Sequence, residues 1–181
     1  IIIIITVTIL PLASSLNTVT CNSAELSLIE VKENCFACFI RGQKIDDSSY
    51  VISDQRNESV RILVVESNKE VEFVPVNVTD VFPRLQIVKV YNCEVKKIIT
   101  NNFIDLRELE TLILSHNKIE DIEFQAFVHL FELRILDLSH NNIKILNEAV
   151  FQALESLVEL DLSHNQIDKL GETFFQSLGN L

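Results

Sequence analysis

Apolar positions in the second half of the chain return at a fixed interval. Leu112, Leu136 and Leu160 are 24 residues apart, as are Leu114, Leu138 and Leu162, and further on Phe127, Phe151 and Phe175. Within each unit the pattern changes character. Leu136 and Leu138 alternate with Asp137 and Ser139, a period of two that predicts a short strand with one buried face. Asn117, Asn141 and Asn165 follow the strands, where a short amide bonds backbone groups that a turn leaves without partners. The rest of the unit, "KILNEAVFQALESL", spaces Leu146, Val150, Phe151 and Leu154 unevenly, which predicts an irregular or short helical return path on the outer side.

The register extends in both directions. One step back from Leu109 is Leu85, and the following unit carries Val88, Val90, Cys93, Val95, Ile98 and Phe103 at the equivalent places. A further step reaches "RILVVESNKEV", where Val64 and Val71 fit but Arg61, Glu66 and Lys69 do not, so residues 61–84 are expected to be an atypical first repeat. Residues 85–181 read as four units, with Leu181 opening a fifth. The repetition has an energetic reason. One unit offers about seven or eight apolar side chains worth roughly 1.5–3 kcal/mol each when buried, against a backbone ordering cost of about 1–2 kcal/mol per residue. A single copy does not fold alone; stacking copies buries both faces of the apolar layer.

The pattern L-x-x-L-x-L-x-x-N/C-x-L, carried by Leu109, Leu112, Leu114, Asn117 and Ile119 and repeated from Leu133 and Leu157, resembles the leucine-rich repeat family. With Ile122, Phe127 and Leu130 it is similar to the 24-residue repeats of extracellular members. The cysteine-containing segment running into "VFPRLQIVKVYNC" resembles secreted and cell-surface members from insects. The resemblance implies an α/β fold, a right-handed leucine-rich repeat solenoid forming part of a horseshoe, with a parallel β-sheet on its concave face. It also implies a recognition module for a protein or glycan ligand in immunity, adhesion or development. The rival expectation is a matrix or scaffold protein without a dedicated ligand.

The N-terminal third alters this picture. Residues 1–15, "IIIIITVTILPLASS", combine an apolar run with Pro11 and small residues, as in the apolar core and cleavage zone of a secretory signal peptide. The run is shorter than a membrane span. Secretion or display on the outer face of the plasma membrane is therefore expected, and a missing C-terminal segment is expected to settle whether the whole protein is membrane-attached. Cys21, Cys35, Cys38 and Cys93 would then meet an oxidising compartment. Cys93 stands where other units hold Asn, which predicts a buried thiol. A bridge from Cys21 to Cys38 is preferred to one from Cys21 to Cys35, although sequence does not fix the pairing. It would make residues 16–60 a cap over the apolar end of the first repeat. Asn57 and Asn77 each open an N-x-S/T sequon, in keeping with secretion.

Fifteen basic against 26 acidic residues leave a net charge of −11, the wrong balance for a nucleic-acid partner. His116, His140 and His164 share one repeat position beside Ser115, Ser139 and Ser163 and near Asp137 and Asp161, inviting a zinc or Ser-His-Asp reading. A strand spacing of about 4.8 Å is expected between the histidines. A ladder of identical rungs lacks the separate nucleophile, base and oxyanion donor that catalysis requires, so neither enzyme activity, a metal nor a cofactor is expected. Residues between the buried leucines should instead line the concave face. They give the columns Ile87, Thr111, Ile135, Glu159 and Lys89, Ile113, Asp137, Asp161, with Tyr91 beside them. An apolar centre edged by charge is the anatomy of a protein interface.

Overall fold

The computed structural model describes residues 18–19, 36–40, 51–52, 60–66, 69, 71–170 and 178, the first three stretches through their backbone alone. The leader, the cysteine bridge, Asn57, Phe175 and Leu181 lie outside the described residues. The elements in chain order are β1 (Thr18–Val19), β2 (Phe36–Ile40), β3 (Val51–Ile52), β4 (Val60–Glu66), α1 (Val78–Val81), β5 (Ile87–Tyr91), β6 (Lys97–Ile98), β7 (Thr111–Ile113), β8 (Asp121–Ile122), β9 (Ile135–Asp137) and β10 (Glu159–Asp161).

Strands β10, β9, β7, β5, β4 and β2 form one six-stranded sheet in that spatial order, and every pairing in it is parallel. From β5 onward each pairing joins residues 24 apart, such as Val88 with Leu112 and Leu112 with Leu136. On the outer side β6 pairs in parallel with β8, and Phe73 bridges to Lys97. Short 3-10 turns at Thr100–Asn102 and Glu148–Phe151 supply the return path. The result is a parallel-strand solenoid, as the periodicity requires.

Its core lies between the two sides. Leu112, Leu114, Leu136 and Leu138 point inward from the main sheet with no exposed area. They meet Phe103, Phe127 and Phe151, whose rings form a column with centroids 5.9 and 6.1 Å apart. Leu160 and Leu162 pack on the same core but are only half-buried.

The first repeat departs from the expected register. Leu63 pairs with Val88 and Val65 with Val90, a step of 25 rather than 24. Val71 returns to the 24-residue step, since its carbonyl accepts the N–H of Glu94 just as Val95 accepts that of Lys118. The chain thus has one more residue between Val65 and Val71 than between Val90 and Val95. Leu63 and Val65 take the inward leucine places, and Val64, expected there, stands opposite Lys89 on the other face. A one-residue slip moves a side chain to the opposite face of a sheet.

Candidate recognition surface

Polar ladders hold the strands that display this surface. Asn141 donates through Nδ2 to the carbonyls of Leu138 and Ser139 in its own repeat and of Leu114 in the preceding one, at 3.0, 3.1 and 3.0 Å. Its Oδ1 accepts the Ile119 N–H at 3.0 Å. Asn117 and Asn165 repeat the arrangement one rung either side. Cys93 occupies the equivalent place as a buried thiol. Its Sγ lies 3.3 Å from the carbonyl of Tyr91 and 4.0 Å from that of Val65, so it offers a weaker donor than an amide. Asn102, which the repeat pattern did not flag, is also buried and ties Val74 O to Ile99 N. No periodic signal could have found it, because Ala126 and Val150 stand at its place in later repeats.

The histidines sit on the turn directly after the strands. His116, His140 and His164 have φ of 54, 53 and 53°, and Asn92 takes the same place with φ 56°. Asn and His are among the residues that enter this left-handed region more readily than most. The imidazoles are exposed and stack ring on ring, 4.1 Å from His116 to His140 and 4.0 Å from His140 to His164. The rings come closer than strand spacing, while the phenylalanine column on the far side of the core is wider. A stack that curves toward its main sheet has this shorter inner rim.

Serine and aspartate make a local contact of their own. Ser139 donates to Asp137 Oδ1 through both N–H and Oγ, at 2.9 and 2.6 Å. Ser163 N–H donates to Asp161 Oδ1 at 2.8 Å. No imidazole is interposed between hydroxyl and carboxylate, so the three residue types form a turn rather than a proton relay. Hydrogen bonds from Ser163 hold the Asp161 carboxyl below its ordinary value. His140 is likewise pushed down, first by lost hydration and then by His164 and His116, with Asp161 and Asp137 pulling the other way.

The concave columns fall where the alternation placed them. Ile87, Thr111, Ile135 and Glu159 form one row across β5, β7, β9 and β10, and Lys89, Ile113, Asp137 and Asp161 form the next. All but the exposed Glu159 are half-buried, as is Tyr91. The structure adds β4 to this face. Ile62 and Val64, each 3% exposed, pack with Ile87 and Tyr91, and the Tyr91 hydroxyl donates to the Glu66 carboxylate. The 24-residue step missed both residues, and the run Ile62–Val65 is apolar at either phase, so alternation could not correct it. Around the outer surface, charges of opposite sign face each other one repeat apart. Lys96 meets Glu72 at 2.8 Å, while Arg84 meets Glu108 and Lys97 meets Asp121 at 3.2 Å. Solvent screens exposed pairs of this kind, so each contributes little to stability.

Family comparisons agree with this geometry. Residues 83–143 and 107–167 match a model described as Leucine rich repeat, and residues 156–181 match a second Leucine Rich Repeat model. Together they span more than half of the chain. No curated protein matches. Among solved structures the chain is similar to one described as the Toll–Spatzle complex, a molecular hub in Drosophila development and innate immunity, in its glycosylated form. The TM-score is 0.56 with 24% identity, over 65% of this chain and 18% of that one. The likeness is one of fold, and this chain spans a small part of the other's length.

Proposed function

Because the chain belongs to the leucine-rich repeat family, we propose that it is an extracellular recognition module whose concave sheet binds a protein ligand. The observation that carries this reading is the apolar group Ile87, Tyr91, Ile113 and Ile135, presented half-buried on adjacent parallel strands. Ile62 and Val64 back it at one end, and Lys89, Asp137, Glu159 and Asp161 edge it. Side chains at the centre of such a patch give affinity, and charges at its rim give steering and specificity. Three of the four rim charges are acidic, which favours a partner with a basic border. The apolar leader expected over residues 1–15 supports the extracellular setting, and the structure solved in the Toll–Spatzle complex supplies a precedent for the fold in a protein–protein assembly.

A photo-crosslinker at Ile113 should capture one partner from the medium or cell surface, and the Tyr91→Ala, Ile113→Ala double variant should lose at least tenfold in affinity for it, about 1.4 kcal/mol. Unchanged affinity in a folded double variant would move the site off this face. A matrix or scaffold role predicts self-association in place of a captured partner.

A further inference from the structure

The first repeat does not place a phenylalanine in the position of the Phe103–Phe127–Phe151 column. Stepping back 24 from Phe103 gives Thr79, which is half-buried. The step holds in this part of the repeat, since Phe73 bridges to Lys97 on the following one. The single turn α1 fills the core by another route. Val78, Val81 and Phe82 are buried at 4, 4 and 1% exposure, and Phe82 N–H closes the turn on Val78 O at 2.7 Å. With the core satisfied by these three, position 79 is released to carry a hydroxyl.

Two residues earlier stands Asn77. It is exposed, has φ 56°, and begins α1 without a side-chain capping bond, its carbonyl instead accepting Asp80 N–H at 3.1 Å. Asn-Val-Thr is therefore an N-x-T sequon with an apolar, non-proline middle residue turned into the core. Its amide is turned outward in a left-handed conformation that Asn tolerates. Later repeats replace the tripeptide by Asn101-Asn102-Phe103, Gln125-Ala126-Phe127 and Ala149-Val150-Phe151. Each puts the core ring where the hydroxyl would be needed. The buried ladder residues Asn117 and Asn141 have Ile at that place and use their amides between repeats.

We propose that Asn77 carries an N-linked glycan, displayed from the outer return path between the bridge at Phe73 and strand β5. The reaction joins Asn77 Nδ2 to C1 of the first sugar of a polyprenyl-diphosphate-linked oligosaccharide. The bond from C1 to the diphosphate oxygen breaks, the polyprenyl diphosphate leaves with the electron pair, and Nδ2 gives up one proton. The added bulk lies on the return path rather than among the concave columns of Ile87 and Lys89, so it closes that flank to partners and leaves the concave sheet open. The proposal rests on the extracellular reading given above, because the donor is met only in the secretory route.

The test is made on the full chain expressed in cultured eukaryotic cells. The tryptic peptide from Glu70 to Arg84 has Asn77 as its sole asparagine. After peptide:N-glycosidase treatment in heavy-oxygen water, that peptide should carry Asp with one heavy oxygen at position 77. Thr79→Ala should abolish the label and Thr79→Ser should retain it. Secreted chain with unmodified Asn77 would overturn the glycan while leaving secretion intact. Chain retained in the cytosol, bare at both Asn57 and Asn77, would overturn the extracellular reading and the glycan with it.

Discussion

The imidazole of His140 lies 4.1 Å from that of His116, with the two planes inclined by only 11°. His164 covers its other face at 4.0 Å. A neutral ring is comfortable in this sandwich, but a protonated one loses hydration and meets like charge on both sides, which is why His140 favours the neutral form. The sign of the consequence follows from linkage. With the folded value below the unfolded one, the unfolded chain binds protons first as pH falls, so stability declines on the acid side of the ordinary histidine value of about 6.5.

Thermal melts should therefore drop between about pH 7 and pH 5, the range in which histidine titrates. Replacing His116, His140 and His164 together with Asn should flatten that drop. Asn is the apt substitute because Asn92 already occupies the same rung with φ 56°. Asp161, also depressed, gives its own loss only as pH falls below the ordinary carboxylate range, well apart from this window. If the triple variant loses as much stability over the window as the parent, the stack is not the proton-sensitive element.

The amide ladder predicts a gradient along the solenoid. Asn141 is 5% exposed and makes four hydrogen bonds, counting both atoms of its amide, two of them to the preceding repeat. Its replacement by Ala leaves buried backbone groups unpaired and should cost about 1–3 kcal/mol. Asn165 makes the equivalent bonds but is half-buried. Asn165→Ala should cost less, because water replaces part of what is lost. Urea denaturation of the two single variants decides this, and equal losses would contradict the dependence on burial.

Much of this was legible in the sequence, for a physical reason that also marks its limit. Leu112, Leu136 and Asn141 must each meet the same environment in every unit, so the 24-residue period is written directly into residue type. The concave pairing of Ile113 with Asp137 followed from that period and from strand alternation alone. Val64 marks the limit of that period. In Ile62–Val65 both faces are apolar, so a one-residue insertion nearby leaves no trace in the hydrophobic pattern and the true register appears only through pairing with β5. The bond from Ser139 to Asp137 was hidden differently: it forms where β9 runs into a turn, and the left-handed conformation of His140 in that turn is a backbone property.

Core packing gives a third expectation. Leu138 has no exposed area, and its own carbonyl accepts the amides of Asn141 and Asn165 just past the end of β9. Truncation to Ala removes apolar contacts and leaves a cavity that rigid neighbouring repeats cannot fully close. The cost should be about 2–5 kcal/mol, read from the shift in denaturation midpoint. A loss below about half a kcal/mol would be inconsistent with a packed core at this position.

The rim charges allow a test that separates charge from structure. Asp137 and Asp161 project from the second concave row, and each carboxylate also holds the N–H of a serine two residues on. Alanine would break that turn and confuse the result. Asn retains an Oδ1 acceptor for the same N–H while removing the charge, so the Asp137→Asn, Asp161→Asn double variant should keep the strand ends in place. If a partner with a basic border docks on this face, the charge acts mainly during approach. The association rate should fall and its dependence on ionic strength should flatten, because exposed charges are screened beyond about 8 Å at physiological salt. The dissociation rate should change little, since the apolar centre at Ile87, Tyr91, Ile113 and Ile135 is untouched. Stopped-flow or surface-based kinetics with the captured partner at several salt concentrations provide the measurement. A salt slope identical to that of the parent chain would place the partner's charges on another part of the solenoid.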